Sequence, residues 1–173
     1  MTKFSIIINT HNQNEYIFEA INSCIKQTYK NFEILIFNTS IKKINSKIYR
    51  NKKKIRYFHQ RSKYKQPEMN QMHKIYQGLK KSKGDYLLFL DGDDKFSDQK
   101  LRELFRFLNK DKFKVNQDIP SLFGNTKIIK KNIKKEFKNN LLFRKIFIPW
   151  PQIFGSSSIT VKTSVLKDFF AKN

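Results

Sequence analysis

Asp91, Asp93 and Asp94 crowd the end of the apolar run YLLFL (86–90), in a chain of 173 residues whose formal net charge is +22. Carboxylates packed this closely repel, and in a dry site they raise one another's pKa unless a cation or hydrogen-bond donors compensate them. A hard divalent ion held by oxygen ligands is the chemistry such a cluster supports. The structural alternative is a solvated acidic turn before a helix, with Ser97 as N-cap and the carboxylates near the positive end of the helix dipole. A calcium-binding EF-hand loop starting at Asp91 fails, because its fifth, sixth and twelfth positions would be Lys95, Phe96 and Arg102. A phosphatase in which Asp91 attacks phosphorus and Asp93 acts as acid/base around Mg²⁺ stays open, with the late position of the acids counting against it.

The elements that must position these acids alternate along the chain. FSIIIN (4–9) is a short apolar run rich in β-branched residues, the pattern of a strand buried on both faces. The turn THNQN follows. From Glu15 the apolar residues Tyr16, Ile17, Ala20, Ile21, Cys24 and Ile25 recur at helical spacing, and Asn12 with Glu15 has the form of a capping box. FEILIF (32–37) predicts a second strand and IRYFHQ (55–60) a third. Met69, Met72, Tyr76 and Leu79 share one face of the next helix, where core packing accounts for the methionines and Gly84 suits a left-handed C-cap. YLLFL is a further buried strand, and Leu101, Leu104, Phe105 and Leu108 make the helix after it amphipathic.

Strands alternating with helices imply right-handed crossovers and an α/β sandwich whose mostly parallel central sheet is covered on both sides. Ligands of such sheets bind beyond the carboxyl ends of the strands, so the loops THN, NTS and DGDD converge on one edge. After residue 110, KDKFKVNQD (110–118) reads as a loop and SLFGNTKIIKK as containing a strand. SSSITVK (156–162) reads as a strand and TSVLKDFFAK (163–172) as a terminal helix. Trp150, between two prolines, is either an aromatic platform for a sugar or lipid acceptor or a packed ring pinning a loop.

The length suits one domain with a proper core. No stretch approaches the roughly 18 apolar residues of a membrane span and the amino terminus lacks the pattern of a secretory signal, so the expected location is the cytoplasm. The lone cysteine, Cys24, lies on the apolar helix face and reads as a buried thiol. The positive charge is almost all lysine and accompanies abundant Asn, Ile and Phe, the bias of an AT-rich genome. The runs KKK (52–54) and KIIKKNIKKEFK (127–138) read as solvated faces or as a peripheral contact with an anionic membrane at its inner side. No RNA-binding signature or zinc module accompanies them, so nucleic acid is not an expected partner.

The segment FSIIINTHNQNEYIFEAINSCIKQTYKNFEILIFNTS (4–40) together with GLKKSKGDYLLFLDGDD (78–94) resembles the amino-terminal, nucleotide-sugar-binding part of family 2 glycosyltransferases of the GT-A fold. The likeness runs over about residues 3–110, and FGSSSITVKTSVLKDFF (154–170) follows the family's later strand and helix more loosely, within a single domain of 1–173. The resemblance implies a Rossmann-like three-layer α/β sandwich, a nucleoside-diphosphate sugar as donor, a hydroxyl acceptor on a sugar or lipid-linked sugar, and inversion at the anomeric carbon. It implies Mn²⁺ or Mg²⁺ as cofactor and a place in polysaccharide or glycolipid synthesis. Asp93 with Asp91 would hold the metal, Asp94 would support them, and Thr10, His11, Asn12, Glu15, Thr39, Asp91, Gly92 and Asp93 would contact the nucleotide sugar. Trp150, Ser156 and Ser157 fall on the acceptor side. His11 also reads as a hydrogen-bonded turn residue, and His59 and His73 carry no assignment.

The departures are equally specific. Where many members carry paired aspartates after the second strand, one of them contacting the base, this chain has Asn38 and Thr39, which can hydrogen-bond a base without inheriting uridine recognition. Ile75 and Tyr76 replace the Arg-Asn often found before the helix glycine. The family's usual catalytic base comes from an acidic motif beyond the segment resembling GSSSITVKTSVLKDFF, so the expectation is a chain shortened at its carboxyl end with its catalytic residue unassigned. Asp118, Glu136 and Asp168 are the candidates to substitute. A noncatalytic binder of nucleotide sugar or anionic surfaces, with the same fold, is the alternative function.

Overall fold

The computed structural model describes residues 1–49, 52–110, 115–117 and 156–172. Its elements are β1 (Phe4–Thr10), α1 (Ile17–Ile25), β2 (Phe32–Asn38), β3 (Ile55–His59), α2 (Pro67–Lys81), β4 (Tyr86–Asp91), α3 (Lys100–Lys110), β5 (Val115–Gln117), β6 (Ile159–Lys162) and α4 (Thr163–Lys172). Short 3₁₀ turns occupy Ser46–Ile48 and Ser156–Ser158. The sheet order is β3-β2-β1-β4-β6-β5. β1 pairs in parallel with β2 and β4, and β2 with β3, while β6 runs antiparallel to both β4 and β5.

The apolar runs become the central strands because each must cover two faces at once. Phe4, Ile6 and Ile8 of β1, Ile34 and Ile36 of β2 and Leu88 and Leu90 of β4 form one core with Ile17, Ile21 and Cys24 of α1 and Leu101, Leu104 and Leu108 of α3. On the opposite face Ile7, Leu35, Phe37, Leu87 and Phe89 pack with Leu79 of α2 and Val165, Leu166 and Phe170 of α4. Three layers result, as the alternation of elements predicts. Burial pushes the Cys24 thiol up to about 12, in keeping with an inert core residue.

Several local expectations are corrected. The capping box does not form: α1 begins at Ile17 after Tyr16 with no side-chain cap. Asn12 instead adopts a left-handed φ of 57°, which Asn tolerates, and its N–H donates to Ser40 Oγ at 2.6 Å. Ser97 is not an N-cap. α3 starts at Lys100, and the buried Gln27 ties down its first turn, its Oε1 accepting from Leu101 N–H at 2.9 Å while its Nε2 donates to Ser97 O at 2.6 Å. Met69 and Met72 are exposed rather than packed in the core. α2 ends at Lys81 and Gly84 has no positive φ. β3 stops at His59, the reading 156–162 divides into a 3₁₀ turn and β6, and Val115–Gln117, read as loop, adds a three-residue strand to the edge of β6. So short a strand is held by backbone pairing and leaves no periodic trace. The strand expected within SLFGNTKIIKK, the lysine run 127–138, Asp118, Glu136 and Trp150 lie outside the described residues.

At the sheet edge remote from the acids, the buried carboxylate of Glu33 accepts from Ser5 Oγ at 2.7 Å, Lys83 N–H at 2.5 Å and Arg56 Nη2 at 2.7 Å. Burial alone would raise its pKa, but these hydrogen bonds and the Arg56 charge outweigh it and hold the carboxyl below its usual range. A depressed pKa gives stability that is present above the unfolded value and lost as pH falls through the folded one. Glu33→Gln is therefore expected to cost about 1–3 kcal/mol at neutral pH. The gap from wild type should begin to narrow as pH falls below about 4.3, the ordinary glutamate value, and should close only once pH has dropped through the lower folded value, where the native carboxyl is neutral; urea unfolding followed across that range measures it.

Candidate functional site

Three strand ends and one helix build the polar edge. The register sets Asn9 of β1 beside Phe37 of β2 and Asp91 of β4. Where β1 and β2 end, Thr39 N–H donates to Thr10 O at 3.1 Å. His11 Nδ1 lies 3.0 Å from Thr39 Oγ1 and 3.2 Å from Thr39 O, binding the two loops together. Asn38 is wholly buried and spent on structure: its Nδ2 donates to Lys42 O and Tyr57 Oη, and its Oδ1 accepts from Ser40 N–H. Its side chain is thus engaged within the fold.

The acidic loop is fixed at both ends. Asp94 N–H closes a turn onto Asp91 O at 3.1 Å, and Phe96 N–H donates to Ser23 Oγ at 3.1 Å on α1. Gly92 is needed for proximity: a Cβ there would stand 2.7 Å from Thr10 Oγ1 and 2.8 Å from Gln13 Oε1. The half-buried Asp91 donates its N–H to Ser157 Oγ at 2.9 Å, and its Oδ2 accepts from Ser156 Oγ at 2.5 Å. Gln71 Nε2, from α2, reaches Asp91 Oδ1 at 3.4 Å and Ser156 Oγ at 3.2 Å. Ser157 in turn donates to the Asp94 carboxylate. Burial raises the Asp91 pKa, with repulsion from Asp94 and Asp93 adding to it and Ser156 and Lys74 opposing.

Asp93 differs from its neighbours. Its side chain is exposed, and among the described residues it makes no hydrogen bond or ion pair. The described residues contain no group of three or more His, Cys, Asp or Glu side chains able to cage a metal. A Mg²⁺-like ion needs no such cage, since it binds through one or two carboxylates and completes its shell with water and substrate phosphates. A free carboxylate at Asp93, two positions from an anchored one at Asp91, fits that mode.

Thr10, His11, Asn12, Thr39, Asp91 and Gly92 thus come together on one edge, as their spacing predicts. Ser156 and Ser157 join the acids directly, so these two hydroxyls are part of the acidic cluster. Glu15 is exposed and makes no hydrogen bond among the described residues. Asn9, Ser40, Gln71 and Lys74 are contributors that sequence reasoning missed. The available signal was on α2, where Gln71, Lys74 and Gly78 share a helix face that, with Leu79, turns to the sheet.

A mostly parallel sheet of this order, closed by an antiparallel strand and carrying acids at the carboxyl end of β4, is the GT-A glycosyltransferase architecture. The sequence pattern of Glycosyl transferase family 2 matches residues 5–168, and the chain belongs to that family. An uncharacterized glycosyltransferase of Rickettsia conorii is 30% identical over 94% of this chain and 25% of its own length. A GalNAc(5)-diNAcBac-PP-undecaprenol beta-1,3-glucosyltransferase of Campylobacter jejuni is 30% identical over 79% of this chain and 42% of its own. The fold matches the crystal structure of residues 1–349 of Staphylococcus aureus TarS with a TM-score of 0.71 at 23% identity, over 97% of this chain and 49% of that one. A second TarS structure, in complex with UDP-GlcNAc, gives 0.69. The chain spans less than half the length of each of these relatives. Family membership replaces the phosphatase reading, and Asp91, with both carboxylate oxygens engaged by Ser156 and Gln71, is poorly placed as a nucleophile.

No described helix is long and apolar enough to cross a membrane.

Proposed function

We propose that the chain binds a nucleoside-diphosphate sugar across the carboxyl ends of β1, β2 and β4, and transfers the sugar with inversion to a hydroxyl of a sugar or lipid-linked sugar in surface-glycan synthesis. The observation that carries this reading is the division of labour among the acids, with Asp91 clamped and Asp93 left free beside it. When a sugar leaves a diphosphate, negative charge builds on the departing oxygens, and a Mn²⁺ or Mg²⁺ ion supplies the compensating charge. Asp93 would hold that ion, with Asp91 as its second carboxylate and Asp94 in support. The fixed turn at Gly92 keeps the acids against β1. Thr10, His11, Asn12 and Thr39 line the nucleotide side, where neutral groups and backbone replace an acidic base contact. Exposed lysines such as Lys52, Lys53 and Lys54 suit peripheral contact with an anionic surface.

Thermal denaturation with UDP, GDP, CDP or dTDP, with and without Mn²⁺, tests the donor site. A ligand at 100 times its Kd stabilises the folded form by about 2.7 kcal/mol, or about 5–10 °C for a domain of this size. At least one diphosphate is expected to give such a rise only when Mn²⁺ is present. No rise with any of them contradicts the reading. A rise without sugar transfer across a donor and acceptor panel would favour the noncatalytic binder.

A further inference from the structure

We propose that Lys74 and Asn9 form a buried pair of hydrogen-bond donors that grips the diphosphate of the donor from the α2 side of the sheet. This rests on the nucleoside-diphosphate reading above. Lys74 is 6% exposed and Asn9 4%. Both atoms of the Asn9 carboxamide are buried without a hydrogen-bond partner, and Lys74 makes no hydrogen bond or ion pair among the described residues. Buried polar groups are almost always paired, so a carboxamide with neither atom bonded is a rare feature, and the stem of Lys74 is packed away while its ammonium is left without a protein partner. Two such groups together mark a place prepared for something else.

The packing brings them level. α2 lies against β1 so closely that a Cβ on Gly78 would stand 2.5 Å from Ile7 Cδ1. From Gly78 back to Lys74 the helix rises about 6 Å, and from Ile7 to Asn9 the strand advances about 6.6 Å toward the same edge. Asn9 shares the sheet face of Ile7 and is the register partner of Asp91. Burial lowers the Lys74 pKa while the nearby Asp91 charge raises it, which puts Lys74 on the Asp91 side of α2. Gln71, one turn further along, already touches Asp91 and Ser156. Asp91 itself is no ion-pair partner for Lys74, since no contact within 4.0 Å joins them. What remains is an ammonium and a carboxamide N–H₂ without protein partners, at the level of the strand ends where a phosphate would lie. Phosphate is the ligand such a pair recognises, Lys acting as a point charge and the amide as an added donor.

The test compares binding of a nucleoside diphosphate and its monophosphate, with Mn²⁺, to wild type, Lys74→Met and Asn9→Ala by calorimetry, using the base that stabilises the wild type most. Lys74→Met keeps the apolar stem and removes only the charge, so its melting temperature is expected to equal or exceed that of wild type. Its affinity for the diphosphate should fall about tenfold or more, with a much smaller change for the monophosphate, and Asn9→Ala should shift the same ratio less. Lys74→Gln, which keeps a donor without the charge, serves the same comparison should the methionine variant fold poorly. An unchanged ratio in the variants of a wild type that binds overturns this inference alone. A wild type that binds no nucleoside diphosphate overturns the donor-site reading and this one with it.

Discussion

Asp93→Asn is expected to lower Mn²⁺-dependent affinity for the nucleoside diphosphate about 100-fold or more, because it removes the carboxylate on which the cation's position depends. The same substitution should leave unfolding free energy within about 0.5 kcal/mol of wild type, since the side chain is exposed and makes no contact that the fold requires. The two halves of the prediction belong together. Asp91, half-buried and bonded to Ser156 and Gln71, cannot be removed so cleanly: Asp91→Ala leaves those two groups without their partner, while neutralising the carboxylate also relieves its repulsion from Asp93 and Asp94, so its effect on binding cannot be read apart from its effect on the fold. Calorimetric titration of the diphosphate with and without Mn²⁺, beside a thermal melt, separates the outcomes. An Asp93→Asn protein that keeps its metal-dependent affinity contradicts the assignment.

The largest effect on stability is expected at Gly84. A Cβ there would lie 2.6 Å from Ser5 N, 2.7 Å from Ser5 Oγ and 2.8 Å from the Phe4 carbonyl carbon. None of these atoms can retreat, because Phe4 and Ser5 are paired on both sides within the central strand, to Phe32 and Glu33 and to Tyr86 and Leu87. Ser5 Oγ also accepts Gly84 N–H at 2.9 Å and donates to Glu33, so displacement disturbs the buried carboxylate as well. Gly84→Ala should cost about 3 kcal/mol, a fall of roughly 6–12 °C in melting temperature. Gly78→Ala makes the useful contrast. Its close contact is the end of the Ile7 side chain, which can rotate, so the loss should be distinctly smaller. Equal melting temperatures for Gly84→Ala and wild type would show that the strand yields.

The parts of this fold that were legible in the sequence are those whose residues had to satisfy two faces. FSIIIN, FEILIF and YLLFL are short, apolar and rich in strand-forming residues, the pattern of strands buried on both faces, and their ends put THN, NTS and DGDD on one edge. What escaped depended on neighbours distant in sequence. Asn12 looked like half of a capping box, but Ser40 takes its N–H. Gly84 looked like a helix terminator, but its constraint is the approach of β1, 79 residues earlier. Lys74 and Gln71 draw no assignment from the sequence, and it is the packing of Gly78 on Ile7 that sets their helix face against the sheet. The family pattern puts Ser156 and Ser157 on the acceptor side, but it gives no sign that the 3₁₀ turn before β6 brings their hydroxyls to Asp91 and Asp94. Val115–Gln117 was too short to show any period.

Anomalous scattering from manganese in crystals grown with Mn²⁺ and a nucleoside diphosphate is the most direct test of the donor site. The expected result is one strong peak at about 2.0–2.2 Å from an Asp93 carboxylate oxygen and from oxygens of the diphosphate. Nucleotide bound elsewhere on the molecule, or bound at this edge with no metal within reach of Asp93, would contradict it.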